Sequence, residues 1–89
     1  MSQLVTESAN FKNITGTATV RTGAAALMGI FVSSSTAGTI KVQDGSATIV
    51  NTFNAVAGTY YPIPAVCGTS IVVTVTGTLD ACVFWASLT

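Results

Sequence analysis

Residues 39–50 read TIKVQDGSATIV, and this stretch decides the fold class. An Asp-Gly pair lies between two runs that are rich in β-branched residues, and Asp-Gly supplies the two positive φ angles of a type I′ turn. We therefore expect a β-hairpin around Asp44-Gly45, with apolar side chains aligned on one face of both strands. The expected pairs are Gln43 with Ser46, Val42 with Ala47, Lys41 with Thr48, and Ile40 with Ile49.

The rest of the chain carries similar signals. Thr, Val, Ile and aromatic residues dominate, glycines interrupt the chain at short intervals, and no segment keeps the apolar stripe of a helix. The expected strands are Phe11–Ile14, Thr17–Arg21, Ala26–Ser33, Thr39–Gln43, Ala47–Phe53, Thr59–Ile63, Ser70–Thr76 and Ala81–Leu88. We predict an all-β fold, a compact antiparallel sandwich or jelly-roll-like barrel of about eight short strands. Residues 1–10 are expected to form a flexible N-terminal arm, and residues 11–89 a single β domain.

Three local expectations accompany this fold. The last two strands should form a hairpin whose turn is Gly77-Thr78-Leu79-Asp80, with its first strand central because it is apolar on both faces. The run Ser33-Ser34-Ser35-Thr36 is expected to be an exposed loop. Pro62 and Pro64 suit a sheet edge or a loop, because proline cannot donate a ladder hydrogen bond.

The surface is expected to carry very few charges. Six side chains among 89 are ionised at neutral pH, and the formal net charge is zero. They are Glu7, Lys12, Arg21, Lys41, Asp44 and Asp80. A monomer of this size buries only about 63% of its unfolded surface, so its stability is marginal. One interpretation is a small domain with a neutral surface; we favour a subunit that buries much of its surface in an oligomer.

The composition argues against several partners. Three scattered basic residues do not form a phosphate-binding patch, so nucleic acid is not expected. No apolar run approaches the roughly 20 residues that span a bilayer, so a membrane partner is not expected. Residues 1–7 have neither a basic n-region nor a long apolar h-region, so a secretion signal is not expected either. No metal or other cofactor is expected, because zinc needs three or four ligands and the chain has two cysteines and no histidine. Cys67 and Cys82 are interpreted as small core residues, with a disulfide between them as the alternative.

Catalysis is not expected. The chain has no histidine to act as a general base, and its three carboxylates are far apart in the sequence. Asp44 and Asp80 lie in predicted turns, where aspartate side chains usually bind local backbone. Cys67 has no histidine to lower its pKa. We therefore predict that the protein is not an enzyme.

Two segments resemble parts of small structural proteins from the virions of tailed bacteriophages. Residues 50–64 read VNTFNAVAGTYYPIP, and residues 75–85 read VTGTLDACVFW. The resemblance covers roughly the last two thirds of the chain. It implies a non-enzymatic, all-β capsid decoration (cement) protein, a homotrimer that binds the major capsid protein or other virion proteins and stabilises the head. The implied location is the virion, after synthesis in the host cytoplasm.

Two alternatives remain open beside this one. The chain could be a tail or baseplate structural subunit, or a lectin-like or receptor-binding module in which aromatic rings stack on sugars. For the partner-binding surface we expect the N-terminal arm and an aromatic edge. The candidate residues are Leu4, Val5, Phe11, Tyr60, Tyr61 and Trp85.

Overall fold

The computed structural model describes residues 10–87. They form six β-strands, and this part of the chain contains no helix, so the predicted all-β class is confirmed. The strands are β1 (Asn10–Ile14), β2 (Ala18–Thr22), β3 (Ala25–Asp44), β4 (Ala47–Asn54), β5 (Thr59–Cys67) and β6 (Ser70–Ser87). All strand pairs are antiparallel. The predicted arm begins outside the described residues, and its last residue, Asn10, is the first of β1.

Two long strands form the centre of the sheet. β3 has 20 residues and β6 has 18, and they pair with each other from Ala25–Ser87 at one end to Asp44–Ile71 at the other. The four shorter strands flank this two-stranded ribbon. β1 and β2 pair with successive parts of β6, whereas β5 and β4 pair with successive parts of β3.

The ribbon bends near its middle. Relative to β6, β3 has register shifts after Leu27, Val32 and Thr36, each of which gives β3 one extra residue. Bulges of this kind bend a strand and increase its twist. At the last of them, Ala37 has a φ of 55° and lies against Gly77, whose φ is 75°. A Cβ on Gly77 would lie 2.8 Å from the Ala37 carbonyl carbon, so the bend requires glycine at this position.

The bend divides the sheet into two halves, which we call layer A and layer B. Layer A contains β1, residues 79–87 of β6, residues 25–34 of β3, and β5, in that order. Layer B contains β2, residues 70–76 of β6, residues 39–44 of β3, and β4. Each layer therefore has four strand segments. Because the bend divides β3 and β6 into two segments each, six strands produce the sequence pattern of about eight short ones.

The far ends of the two layers meet. Asp44 ends β3 in layer B, and its carboxylate accepts hydrogen bonds from the backbone amides of Gly68, Thr69 and Ser70 at 2.9, 2.9 and 3.2 Å. These residues directly follow Cys67, which pairs with Ala25 at the opposite end of β3. Since both ends of one 20-residue strand reach the same loop, the ribbon is folded back on itself.

The core lies between the layers. The inward-facing residues of both halves form a single buried cluster, and several have no exposed surface at all. The largest of these are Ile30, Ile40, Ile71, Val32, Val42, Val73, Val83 and Cys67. Side chains on one face of a single-layered sheet would remain partly in solvent, so their complete burial indicates that the layers cover each other.

The hairpin predicted around Asp44-Gly45 is present, but the predicted pairing of its residues is wrong. Its loop is Gly45-Ser46, and Asp44 pairs with Ala47 as the last residues of the strands. Gly45 has a φ of 59° and Ser46 is outside the left-handed region, which is the pattern of a type II′ turn. Asp44 is free to be the final strand residue because its carboxylate binds the 68–70 backbone rather than its own turn.

Two predicted boundaries are also wrong. The turn expected at residues 77–80 lies inside β6, and the loop expected at residues 33–36 lies inside β3. These two segments pair with each other across the bend, as in Thr36 with Thr78. The predicted C-terminal hairpin is therefore one bent strand, although its central position in the sheet is confirmed. The edge position expected for Pro62 and Pro64 is confirmed too, since both lie in edge strand β5.

Candidate protein-binding surface

The outer face of layer A is almost entirely apolar. Adjacent strands place side chains in register across it, for example Phe11 with Phe84 and Phe31 with Tyr60. We call this surface the apolar face. Its outward residues are Phe11 and Asn13 of β1, Cys82, Phe84 and Ala86 of β6, Ala26, Met28 and Phe31 of β3, and Tyr60, Pro62, Pro64 and Val66 of β5.

Several large side chains on the apolar face remain in solvent. Phe11 is 70% exposed and Val66 is 75% exposed, while Met28, Phe31 and Tyr60 are exposed by 42, 37 and 46%. Together these five residues leave roughly 500 Å² of mostly apolar surface in water, since a large aromatic residue has about 150–250 Å² and valine and methionine have less. The largest patch on a typical monomer is about 300–600 Å² and is often functional.

Tyr60 is positioned on this face by a glycine. Met28 and Gly29 form the first bulge of β3, so both point outward. The ring of Tyr60 lies over Gly29, where a Cβ would come within 2.6 Å of its Cζ atom. The ring also meets Phe84 at a centroid distance of 6.4 Å and an interplanar angle of 60°. An aromatic pair thus forms the middle of the apolar face.

A charged group, Asp80, borders the face at its bend end. Asp80 accepts a hydrogen bond of 2.6 Å from the Asn13 side-chain amide, which also donates to the Ala81 carbonyl at 3.0 Å. Between this pair and the far ends of the strands, none of the outward residues named above carries a charge at neutral pH, because burial raises the pKa of the Cys82 thiol above its ordinary value.

The outer face of layer B has the opposite character. Its outward residues carry hydroxyl, amide or amino groups with one exception, Val72. They are Thr19 of β2, Val72 and Thr74 of β6, Thr39, Lys41 and Gln43 of β3, and Thr48 of β4. This surface is well suited to contact with water.

The edges of the sheet are protected against pairing with other strands. β1 and β2 have five residues each and carry Lys12 and Arg21. β5 contains Pro62 and Pro64, and β4 contains two bulges relative to β3. Short edges, charges, prolines and bulges all hinder edge-to-edge addition of a strand. The apolar face, by contrast, has no comparable protection.

The residues expected at the interface have different locations. Leu4 and Val5 lie outside the described residues. Phe11 and Tyr60 lie on the apolar face. Tyr61 and Trp85 point inward and pack against the core, and the ring of Tyr61 meets that of Phe53 in a tilted contact at a centroid distance of 4.9 Å. Tyr60, Tyr61 and Trp85 therefore do not form one platform for stacking on a sugar.

The prediction missed Met28, Phe31 and Val66. One signal was available: residues 60–67 are apolar at odd and even positions alike, which indicates a strand with two apolar faces. For β3 no simple signal existed, because the bulge at Met28-Gly29 reverses the alternation of inward and outward residues.

The two thiols are free and lie on opposite sides of layer A. Cys67 is buried between the layers, whereas Cys82 is partly buried on the apolar face. Burial raises the pKa of both thiols, with a further increase at Cys67 from the carboxylate of Asp44. The predicted core position is confirmed for Cys67 and is wrong for Cys82, whose side chain lies on the apolar face outside the buried cluster. Both thiols are free, so the alternative of a disulfide between them is not formed.

A shallow cleft of about 240 Å³ opens between β4 and β5, and Val50, Phe53, Tyr61, Pro62 and Ile63 line it. The hydroxyl of Tyr61 accepts a hydrogen bond of 3.0 Å from the Val56 amide, which holds the connecting loop over the cleft. Four of the five lining residues are apolar and the fifth is Tyr61, so the contact that the cleft offers is mainly apolar.

Within residues 10–87 there is no group of three or more His, Cys, Asp or Glu side chains placed to hold a metal ion. The same residues include no helix of the length and hydrophobicity that a membrane span requires. Comparison of the chain with protein-family models, with curated proteins and with solved structures finds no match in any of the three. The apolar face is accordingly the feature on which an account of function rests.

Proposed function

We propose that this protein is a non-enzymatic structural protein of a virion, of the capsid decoration type, and that it acts by binding protein through the apolar face. The observation that carries this proposal is the exposure of five large apolar side chains on one face of layer A. A patch of this size lies in the upper part of the range found for the largest apolar patch of a monomeric protein, and such patches are often functional.

The form of the surface favours protein as the partner. A sheet face that is apolar and free of ions resembles the centre of a stable protein–protein interface, from which charged residues are depleted. A small ligand would need a concave site with convergent polar groups. The placement on a virion, with the major capsid protein as a partner there, derives from the resemblance of residues 50–64 and 75–85 to phage structural proteins.

Fractionation of virus particles tests this proposal. We would separate a lysate of the host that carries the gene on a density gradient and quantify the chain by mass spectrometry in head, tail and soluble fractions. The proposal predicts that the chain sediments with heads, at a fixed ratio to the major capsid protein. Recovery in the tail fraction would support the tail or baseplate alternative, and recovery only in the soluble fraction would refute a virion role.

A functional readout accompanies the fractionation. Heads from which the chain is removed should release their DNA at a lower temperature than complete heads, because a decoration protein stabilises the shell. Adding back the purified chain should restore the original release temperature. Equal release temperatures with and without the chain would contradict a stabilising role.

A further inference from the structure

The fold alone does not determine what covers the apolar face in solution. It could be residues 1–9 of the same chain, a different protein, or a second copy of this chain. We propose that it is a second copy, docked face to face through a twofold axis. The inference rests on the proposed function only for the claim that this face binds protein.

The absence of charge on the face favours a copy of the same surface. Its outward residues are apolar between the Asp80–Asn13 pair and the far ends of the strands. Two copies can therefore meet with no like charges brought together and no ion left without water. A partner with a charged docking surface would find no opposite charges here to compensate the lost hydration of its own ions.

The shape of the face also suits a copy. Sheets pack face to face with strands nearly aligned, about 10 Å apart. The two most exposed apolar side chains are at opposite margins, Phe11 on β1 and Val66 on β5. A twofold axis along the strands places β1 of each copy over β5 of the other, so both margins are covered in the same contact.

The area approaches what a stable dimer needs. Each copy would contribute roughly 500 Å² from its five large apolar side chains. Prolines and alanines of the face add to this, and a standard interface uses about 800 Å² per partner. Edge-to-edge pairing is disfavoured on all four edge strands, which leaves the face as the route of self-association.

The composition of the N-terminal segment suits the face less well. Residues 1–9 read MSQLVTESA and offer Met1, Leu4 and Val5 as their larger apolar side chains, beside Glu7 and four other polar residues. A segment of this composition would bring more polar than apolar side chains to an apolar surface. The experiment below therefore includes a variant that lacks residues 1–9.

Sedimentation velocity of the purified full chain over a concentration series tests the inference. We expect a species of twice 9.0 kDa that dissociates on dilution. Val66→Asp should raise the dissociation constant at least about tenfold, because it buries an unpaired carboxylate in the contact. Thr48→Asp, the same added charge on edge strand β4 of layer B, should leave the dissociation constant unchanged. Both positions are exposed, and matching circular dichroism and denaturation curves would show that both variants fold.

Deletion of residues 1–9 separates the intramolecular explanation from the intermolecular one. If a second copy covers the face, the deletion variant remains a dimer of similar affinity. The inference would be overturned if the parent chain is monomeric at concentrations on the order of 100 μM and associates only after the deletion. That result would mean that residues 1–9 cover the face of their own chain. A trimer as the smallest assembly, or equal weakening by Val66→Asp and Thr48→Asp, would overturn it as well. A dimer that is absent from virions would sustain this inference and refute the proposed function.

Discussion

The outer faces of layers A and B belong to the same two central strands, yet their chemistry is opposite. Along β6 the outward residues are Val72 and Thr74 in layer B, and Cys82, Phe84 and Ala86 in layer A. The inward residues do not change in this way, since Ile71, Val73, Ala81 and Val83 are all buried.

The contrast between the two outer faces shows which apolar side chains the fold requires and which it does not. A folded-back ribbon requires apolar residues only on its inner side, and layer B satisfies that requirement with a polar exterior. The apolar exterior of layer A adds nothing to the core and reduces solubility. We therefore attribute it to binding, and each prediction below changes one side of the comparison.

The largest effect is expected from Gly77→Ala, because it attacks the bend that gives the ribbon an inside and an outside. Alanine at a φ of 75° costs about 1 kcal/mol. Its Cβ would also overlap the backbone of Ala37, which cannot move as a side chain can. The expected loss is about 3 kcal/mol or more in the free energy of unfolding, which thermal denaturation would measure.

Gly58→Ala is the matched control for the bend. Gly58 has a φ of 76°, nearly that of Gly77, but a Cβ there would meet no atom within 4 Å. Only the conformational cost of about 1 kcal/mol should appear. Equal losses from the two substitutions would mean that close packing at the bend does not hold the layers together.

A smaller effect is expected from Gly29→Ala, which alters the apolar face and leaves layer B intact. The new methyl group would lie 2.6 Å from Cζ of Tyr60 and 2.7 Å from the Tyr61 carbonyl oxygen, so the ring and β5 must shift. We expect a loss of about 1–3 kcal/mol in stability, together with weaker self-association. Self-association as tight as in the parent, with Tyr60 displaced, would show that the middle of the face makes no contact.

The smallest effect is expected at Asp44, whose carboxylate joins the far ends of the two layers. Hydrogen bonds from the amides of Gly68, Thr69 and Ser70 hold the pKa of the Asp44 carboxyl below its ordinary value of 3.8. A lowered folded pKa favours the ionised folded state, so this stabilisation is present above about pH 4 and is lost as the pH falls through the folded pKa.

Asp44→Asn should therefore be less stable than the parent at pH 7, and the difference should shrink as the pH falls below about 4. Urea denaturation at a series of pH values would measure both curves. A difference that stays constant down to pH 2 would contradict a stabilising role of the Asp44 charge.

The sequence allows the fold class to be predicted but not the continuity of its two main strands. β-Branched residues and regular glycines indicate an all-β chain, and the apolar run at residues 71–75 indicates a central strand. Gly77-Thr78-Leu79-Asp80 has the composition of a turn, but a bulged bend needs the same residues. The long-range pairing of residues 34–36 with 78–80 decides between them, and local sequence does not contain it.

The binding surface could be predicted only in part for a related reason. Phe11 and Tyr60 are aromatic residues in recognisable strands, and both lie on the apolar face. Tyr61 and Trp85 have the same composition signal but the opposite orientation, because neighbouring strand residues alternate between faces. Which neighbour points outward depends on register and bulges, and these are set by the partner strands.

The central claim is that the apolar face of layer A becomes covered by another copy while the outer face of layer B stays in water. Nuclear magnetic resonance of the 9.0 kDa chain over a dilution series tests it residue by residue. The account predicts that amide and methyl shifts change with concentration at Phe11, Met28, Phe31, Tyr60 and Val66, and stay constant at Thr19, Thr48 and Thr74. Changes centred on the layer B residues, or no change at any position between micromolar and millimolar concentrations, would contradict it.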